Sequence, residues 1–267
     1  MRNTLQKRYE GFLNTPLLWK KNPLFNLTQF EINTTLHKLA INLDENLRLG
    51  KYVERFVSFE LKQQHNISIL AENIQIQKDK LTLGELDCLL LKDGKPIHLE
   101  IIYKFYVYDA TVGTSEIDHF IGPNRKDSLI EKLEKLRDKQ LPLLYADDCK
   151  SYLKTIDLKS KNISQHVYFK AQLFLPLAHQ NTRLLTLNND CVVGFYIRAD
   201  ELHEFKDCKF YLPNKKNWLI TPHINVDWSN FESFTFIAKD FFKQKYASLV
   251  WVKFKNGLLN KVFLVWW

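Results

Sequence analysis

A four-residue turn, Lys92-Asp93-Gly94-Lys95, constrains the fold of this chain more than any other feature of its sequence. Asp-Gly favours the positive backbone angles of a two-residue β-hairpin, and residues rich in β-branched and aromatic side chains flank the turn on both sides. We therefore predict antiparallel strands over 81–91 and 96–108, with a further strand over 66–76 before them. Pro96 opens its strand at a position where a missing amide is tolerated.

Two carboxylates are predicted to face each other across this hairpin. With a two-residue turn, the numbers of paired residues sum to 187, so Asp87 lies opposite Glu100. Side chains alternate between the two faces of a strand, so Lys104 shares the face of Glu100. Like charges placed opposite each other destabilise a sheet, so the pair requires a compensating cation or a raised pKa. A register shifted by one residue would instead put the two carboxylates on opposite faces.

Other polar residues surround this pair. Glu85 and His98 share the same face, which predicts supporting positions for them beside the metal ligands. Glu54 lies in a helical stripe of otherwise apolar or glycine positions, so its carboxylate is predicted to point toward the sheet. An unpaired buried carboxylate is costly, and oxygen-rich sites suit Mg²⁺ or Mn²⁺ better than zinc. We therefore predict a divalent-metal site formed by Asp87, Glu100 and Glu54.

Helices are predicted on both sides of these strands. The first 65 residues, approximately, have a helical pattern, and 124–140 is predicted to be a helix with three buried leucines. Asn124 would cap that helix, with Asp127 in the capping-box position. The later part of the chain is predicted to form short aromatic-rich strands, with one more helix within 228–246.

The start of the helix predicted over 124–140 is also a candidate nucleic-acid contact. Asn124, Arg125 and Lys126 combine free backbone amides with two cations, an arrangement that suits a backbone phosphate. Lys132 lies two turns further along the helix and would extend this contact. Cations at a helix start oppose the helix dipole, and a merely solvated surface is the alternative interpretation.

Charge is unevenly divided along the 267 residues, whose net charge is +8. Residues 1–150 hold 22 basic and 21 acidic side chains, whereas residues 151–267 hold 16 and 9. We predict a helical N-terminus and metal-binding core in 1–150, and a basic, aromatic-rich mixed β region packed on it in 151–267. The basic excess favours a negatively charged partner such as DNA or RNA.

Several classes of protein are disfavoured by the sequence. No run approaches the roughly 18 apolar residues of a membrane span, and the N-terminus lacks the pattern of a secretory signal, which predicts a cytoplasmic protein. The four cysteines show no zinc-binding spacing and are expected to be reduced and buried. The sequence patterns of P-loop proteins, of serine hydrolases with a nucleophile elbow and of zincin metalloproteases are absent.

The order of these elements and residues resembles the PD-(D/E)XK, or restriction-endonuclease-like, superfamily of nucleases. The α/β fold of that superfamily has an αβββαβ core, which is followed here by a mostly β C-terminal extension. Four segments are similar to one bacterial family of that clan, a conserved domain of unknown function: Leu49-Gly50-Lys51-Tyr52-Val53-Glu54, Thr82-Leu83-Gly84-Glu85-Leu86-Asp87, His98-Leu99-Glu100 and Lys104-Phe105-Tyr106. The similarity extends over about residues 45–145.

The resemblance implies a role for each of the central residues. Asp87 and Glu100, helped by Glu54, would hold one or two Mg²⁺ or Mn²⁺ ions, and Lys104 would position or activate the attacking water. The expected activity is metal-dependent hydrolysis of phosphodiester bonds in nucleic acid. The superfamily places its lysine two residues after the glutamate, where this chain has Ile102.

Several alternatives stay open beside a nuclease that uses Lys104. The site could bind metal without hydrolysis, or His98 could handle the proton in place of Lys104. A catalytically inactive protein of the nuclease fold, which binds nucleic acid or a protein partner, fits the same residues. A metal-independent glycoside hydrolase is a further alternative, since two carboxylates about 5 Å apart suit a retaining mechanism.

Overall fold

A computed structural model describes residues 2–20 and 22–267. In that part of the chain the fold is mixed α/β, with five α-helices and a large mixed sheet of nine strands. The chain divides into two compact units. The hairpin unit consists of Leu17–Tyr103 and Glu131–Lys170, and the C-terminal unit consists of Met1–Pro16, Lys104–Ile130 and Ala171–Trp267. Each unit therefore takes segments from before and after residue 150.

The helices and strands have the following bounds. The α-helices are α1 (Arg2–Asn14), α2 (Leu49–Lys62), α3 (Leu129–Lys135), α4 (Asp147–Thr155) and α5 (Phe231–Lys243). The strands are β1 (Ile67–Lys78), β2 (Leu81–Lys92), β3 (Lys95–Tyr108), β4 (Phe120–Ile121), β5 (Ser164–Pro176), β6 (Val192–Ile197), β7 (Lys209–Tyr211), β8 (Ser248–Lys253) and β9 (Leu259–Leu264).

The predicted hairpin and its register are confirmed. Asp93 and Gly94 have φ angles of 53° and 75°, so both central residues of the turn are left-handed, as a type I′ turn requires. Lys92 pairs with Lys95, and the antiparallel pairing continues in the predicted register as far as Cys88 and Leu99. β1 pairs antiparallel with β2 on the other side. The three predicted strands therefore form one antiparallel ribbon in the order β1-β2-β3.

The helical prediction for the first 65 residues is correct only at its two ends. α1 and α2 are helices, and α2 buries Val57 and Leu61 of the predicted stripe. Between these helices, the described residues 15–20 and 22–48 contain no α-helix. Phe30 donates a backbone hydrogen bond to Val167 of β5, which keeps its segment extended. Pairing with a distant strand thus overrides the local helical pattern.

The helix predicted over 124–140 is shorter and begins later than expected. Helix α3 begins at Leu129, and the chain continues as a π-helical turn over 136–140. Asn124 caps nothing, because its Oδ1 accepts a hydrogen bond from Ala247 N–H at 2.9 Å. Arg125 has a φ of 53°, and this left-handed conformation interrupts any helix at that position. The three predicted core leucines, Leu129, Leu133 and Leu136, are nevertheless fully buried.

In the C-terminal unit the strands follow the order β5-β6-β9-β8-β7. β6 is parallel to both β5 and β9, whereas the β9–β8 and β8–β7 pairs are antiparallel. Helix α5 lies within the predicted range 228–246 and is capped by Asn230, whose side chain accepts a hydrogen bond from Ser233 N–H. Its buried residues Phe234 and Ala238 pack into the apolar core that these strands form.

Two further expectations can be compared with the structure. All four cysteines are free thiols and all are buried, as predicted. Among the described residues, no helix combines the length and the apolar character that crossing a bilayer requires.

Candidate functional site

Three carboxylates converge in the hairpin unit, and we call Glu54, Glu85 and Asp87 the acidic cluster. One carboxylate oxygen from each lies within 4.8 Å of the others. Glu85 and Asp87 are two residues apart on β2, so both side chains leave the same face of the strand. Glu54 reaches them from α2, where its side chain is only 12% exposed. The predicted ligands Glu54 and Asp87 are therefore together, and Glu85, predicted to support them, is part of the same group.

Lys51 contacts the acidic cluster directly, although it is not among the site residues predicted from the sequence. Its Nζ donates hydrogen bonds to Glu54 Oε2 and Asn73 Oδ1, both at 2.9 Å, and to Glu85 Oε1. Burial opposes the charge of this amine, but the hydrogen bonds to Glu85 and Glu54 raise its pKa. The signal was present, because Lys51 precedes Glu54 by three residues on α2 and so lies on the same helix face.

Asp87 carries the strongest electrostatic perturbation of the cluster. Burial and the nearby charge of Glu100 raise the pKa of Asp87 to about 8, although Ile101 N–H donates a hydrogen bond to Asp87 Oδ2 at 2.9 Å. Burial also raises the pKa of Glu54, against the effect of Lys51. A cation close to the cluster would favour the ionised carboxylates and reverse these shifts.

Glu100 is fully buried beside Asp87 but lies outside the acidic cluster. Its Oε1 is 3.0 Å from His98 Nε2, and its Oε2 accepts a hydrogen bond from Gln140 Nε2 at 2.7 Å. Gln165 donates its amide to His98 Nδ1 at 3.0 Å, so His98 has its proton on Nε2 and donates it to Glu100. Both carboxylate oxygens of Glu100 thus have partners within the hairpin unit.

The ladder between β2 and β3 ends just before the predicted acidic pair. Its last pair is Cys88 with Leu99. Beyond that pair, the Asp87 carboxylate accepts a hydrogen bond from the backbone N–H of Ile101. The two carboxylates are therefore neighbours, as the register predicts, but side-chain hydrogen bonds replace the backbone ladder beside them. The assignment of Glu100 as a metal ligand stays a prediction.

The three lysines that were predicted to act on nucleic acid are found in different surroundings. Lys104 Nζ forms an ion pair with Asp127 Oδ2 at 2.5 Å in the C-terminal unit. Lys132 Nζ donates to Gln140 Oε1 at 2.7 Å in the hairpin unit. Lys126 is exposed to solvent. The catalytic role of Lys104 and the phosphate contacts of the other two stay predictions.

Asn124 and Arg125, predicted to meet phosphate at a helix start, are engaged within the C-terminal unit. Asn124 accepts the amide of Ala247. Arg125 donates to Asp109 Oδ2 at 2.7 Å, and its guanidinium lies 4.4 Å from the ring centre of Trp267. These contacts hold the last residue of the chain against the turn that precedes α3.

A family model described as Domain of unknown function (DUF1853) matches residues 7–264, which is nearly the whole chain. No curated protein and no solved structure matches the chain.

Proposed function

The chain belongs to the DUF1853 family, and we propose that it is a metal-dependent nuclease that hydrolyses phosphodiester bonds in nucleic acid. The acidic cluster carries this proposal, because three carboxylates from α2 and β2 bring their oxygens within 4.8 Å of one another. The sequence resembles the PD-(D/E)XK core, which has the order αβββαβ. The same order is found along this chain in α2, β1, β2, β3, α3 and β5, if β4 and α4 are treated as insertions. That order supports the assignment.

The donor atoms of the acidic cluster fit a hard divalent cation. All three ligands are carboxylate oxygens, which suit Mg²⁺ or Mn²⁺. Glu54, Glu85 and Asp87 would hold the ion, which when bound lowers the pKa of a coordinated water and neutralises charge on a phosphate. The raised pKa of Asp87 is a second reason for the fit, since a metal would compensate the charge that burial disfavours.

We assign Lys51 the part that the superfamily gives to its motif lysine. Lys51 Nζ is 2.9 Å from Glu54 Oε2, whereas Lys104 forms an ion pair with Asp127. An ammonium group at the edge of a carboxylate cluster can orient a phosphate oxygen and stabilise the negative charge that develops on it. His98 and Gln140 hold Glu100 in one orientation, so that its charge stays next to Asp87.

The test is cleavage by the full chain of single-stranded DNA, double-stranded DNA and RNA, with Mg²⁺ or Mn²⁺ and with chelator. We expect metal-dependent cleavage of at least one substrate, which Asp87→Asn and Glu54→Gln abolish. Glu72→Gln is the matched control, because Glu72 lies on β1 in the same unit but bonds to Ser58 and Lys62. Cleavage that persists in chelator, or in Asp87→Asn, would contradict the proposal.

A catalytically inactive protein of the same fold is the second candidate, and the internal pairing of the site favours it. Lys51 already neutralises part of the acidic cluster, and both oxygens of Glu100 have hydrogen-bond partners. Such a protein would bind nucleic acid or a protein partner without a metal. Calorimetry with Mn²⁺ separates the candidates, because retained nucleic-acid binding without any metal binding would support the inactive one.

A further inference from the structure

A cavity of about 220 Å³ lies in the C-terminal unit, where α1, β5, β6 and β9 contribute to its walls. Its polar lining consists of two amides, two hydroxyls and one amine, on Asn14, Gln172, Thr15, Thr221 and Lys261. None of the residues that line it is acidic. The electrostatic character of this cavity is therefore set by a single cationic side chain.

Lys261 is almost completely buried at the wall of the cavity, with 5% of its surface exposed. Its Nζ donates hydrogen bonds to Gln172 Oε1 at 2.8 Å and to the Trp218 carbonyl at 2.6 Å, with the Leu219 carbonyl at 3.5 Å. Gln172 and Leu219 also line the cavity, so the amine lies next to the open space. Every one of these acceptors is neutral.

A buried ammonium without a counter-ion is an unfavourable arrangement. Burial lowers the pKa of Lys261 to about 7, and none of the described residues supplies a charge that opposes that effect. In globular proteins buried charges are normally paired or bound to an ion of opposite sign. An anion in the cavity would supply the missing charge and restore the protonated form of the amine.

A second basic side chain lies near the same cavity. Lys7 precedes Gly11, a lining residue, by one turn of α1 and therefore shares its helix face. Lys7 Nζ is 3.2 Å from Nε2 of His223, which directly follows the lining residue Pro222. Positive charge thus accumulates around a cavity whose own walls carry no carboxylate.

We propose that this cavity binds a small organic anion whose carboxylate or phosphate group pairs with Lys261. The volume limits the ligand, since pockets for drug-sized molecules measure roughly 300–1,000 Å³. The Asn14 amide and the Thr221 hydroxyl on the wall would supply hydrogen bonds for the remainder of the molecule. This site lies in the C-terminal unit, its residues take no part in the acidic cluster, and it does not depend on the proposed nuclease activity.

The experiment adds acetate, pyruvate, inorganic phosphate or glycerol 3-phosphate to the full chain. Calorimetry measures the binding of each probe, and thermal unfolding measures its effect on stability. Sodium chloride at equal ionic strength is the reference for general salt effects. We expect saturable binding of at least one probe and a rise of the unfolding temperature with its concentration. Tighter binding of pyruvate than of the phosphates would indicate a carboxylate ligand, and tighter binding of the phosphates would indicate a phosphate ester. Either result supports the site.

Two variants locate the binding. Lys261→Met keeps the aliphatic chain but removes the charge, and we expect it to weaken binding by at least about tenfold. Lys255→Met is the matched control, because Lys255 is exposed in the same unit and pairs with Asp207. Asn14→Leu changes the exposed end of the cavity wall without removing any hydrogen-bond partner of Lys261, and we expect it to weaken binding as well. This second variant keeps the test possible if Lys261→Met does not fold. Absence of saturable binding, or wild-type affinity in a folded Lys261→Met variant, would overturn the proposal. If that variant does not fold, wild-type affinity in Asn14→Leu would overturn it.

Discussion

Replacing Asp87 with asparagine is expected to remove a specific pH dependence of stability. Burial and the charge of Glu100 raise the pKa of Asp87 from 3.8 to about 8 in the metal-free protein. The folded protein therefore keeps this carboxyl protonated at pH values where the unfolded chain has already ionised it. Because the unfolded state releases its proton first, rising pH favours unfolding throughout the interval between the two pKa values.

The expected magnitude follows from proton linkage. A difference of one bound proton changes the free energy of unfolding by ~1.4 kcal/mol per pH unit. From about pH 5.5 to about pH 7.5, Asp87 alone should lower the stability of the metal-free wild type by about 3 kcal/mol. Asp87→Asn removes this slope, and the asparagine oxygen can still accept the hydrogen bond that Ile101 N–H donates.

Urea unfolding in chelator at several pH values measures the effect. The difference between wild type and Asp87→Asn cancels the titration of the groups that do not interact with Asp87, and Glu72→Gln should keep the wild-type slope. Mn²⁺ should stabilise the wild type more strongly as the pH rises, since binding to a protonated carboxyl must release its proton. Parallel pH curves for wild type and Asp87→Asn in chelator would refute this account of the buried carboxyl.

Three further changes test other contacts. Lys51→Met should destabilise the metal-free protein by about 1 kcal/mol, because the acidic cluster loses a partly exposed cation, and Mn²⁺ should restore the loss; unchanged urea midpoints would count against this role. Glu100→Gln removes a neighbouring negative charge and should lower the pKa of Asp87, so that the fall of stability with pH ends at a lower pH in the same urea series. Asn230→Ala removes the side chain that accepts Ser233 N–H at the start of α5 and should cost about 1 kcal/mol in thermal or urea unfolding, whereas a neutral result would show that water replaces the cap.

The strands around the hairpin could be predicted because their signals are local. Asp93-Gly94 specifies a type I′ turn, and this turn alone determines which residues pair along β2 and β3. Placing Glu85 and Asp87 on one face then requires only the two-residue alternation of a strand. The prediction of a helix that begins at Asn124 was wrong for the opposite reason. Local rules assign the Asn124 side chain to a helix cap, but it accepts a hydrogen bond from the backbone N–H of Ala247, which is distant in the sequence.

The candidate site was predicted in part. Glu54 was expected to meet the strands because a carboxylate in an apolar stripe needs a partner, and it does so in the acidic cluster. Lys51 was missed although it lies one turn from Glu54, because a lysine at that spacing is usually a solvated surface residue. Lys104 pairs with Asp127, and Glu100 is held by His98 and Gln140. These partners could not be predicted from the sequence.

Local pattern was thus sufficient for the strands β1, β2 and β3, the hairpin register and the face that carries the carboxylates, because each depends on residues close together in the chain. Tertiary structure alone decided which cation meets the acidic cluster and that Lys261 is buried at a cavity among neutral hydrogen-bond acceptors. Both outcomes depend on contacts across long sequence separations. Solvent exclusion determines the charge state of such groups, and it exists only once the elements have packed.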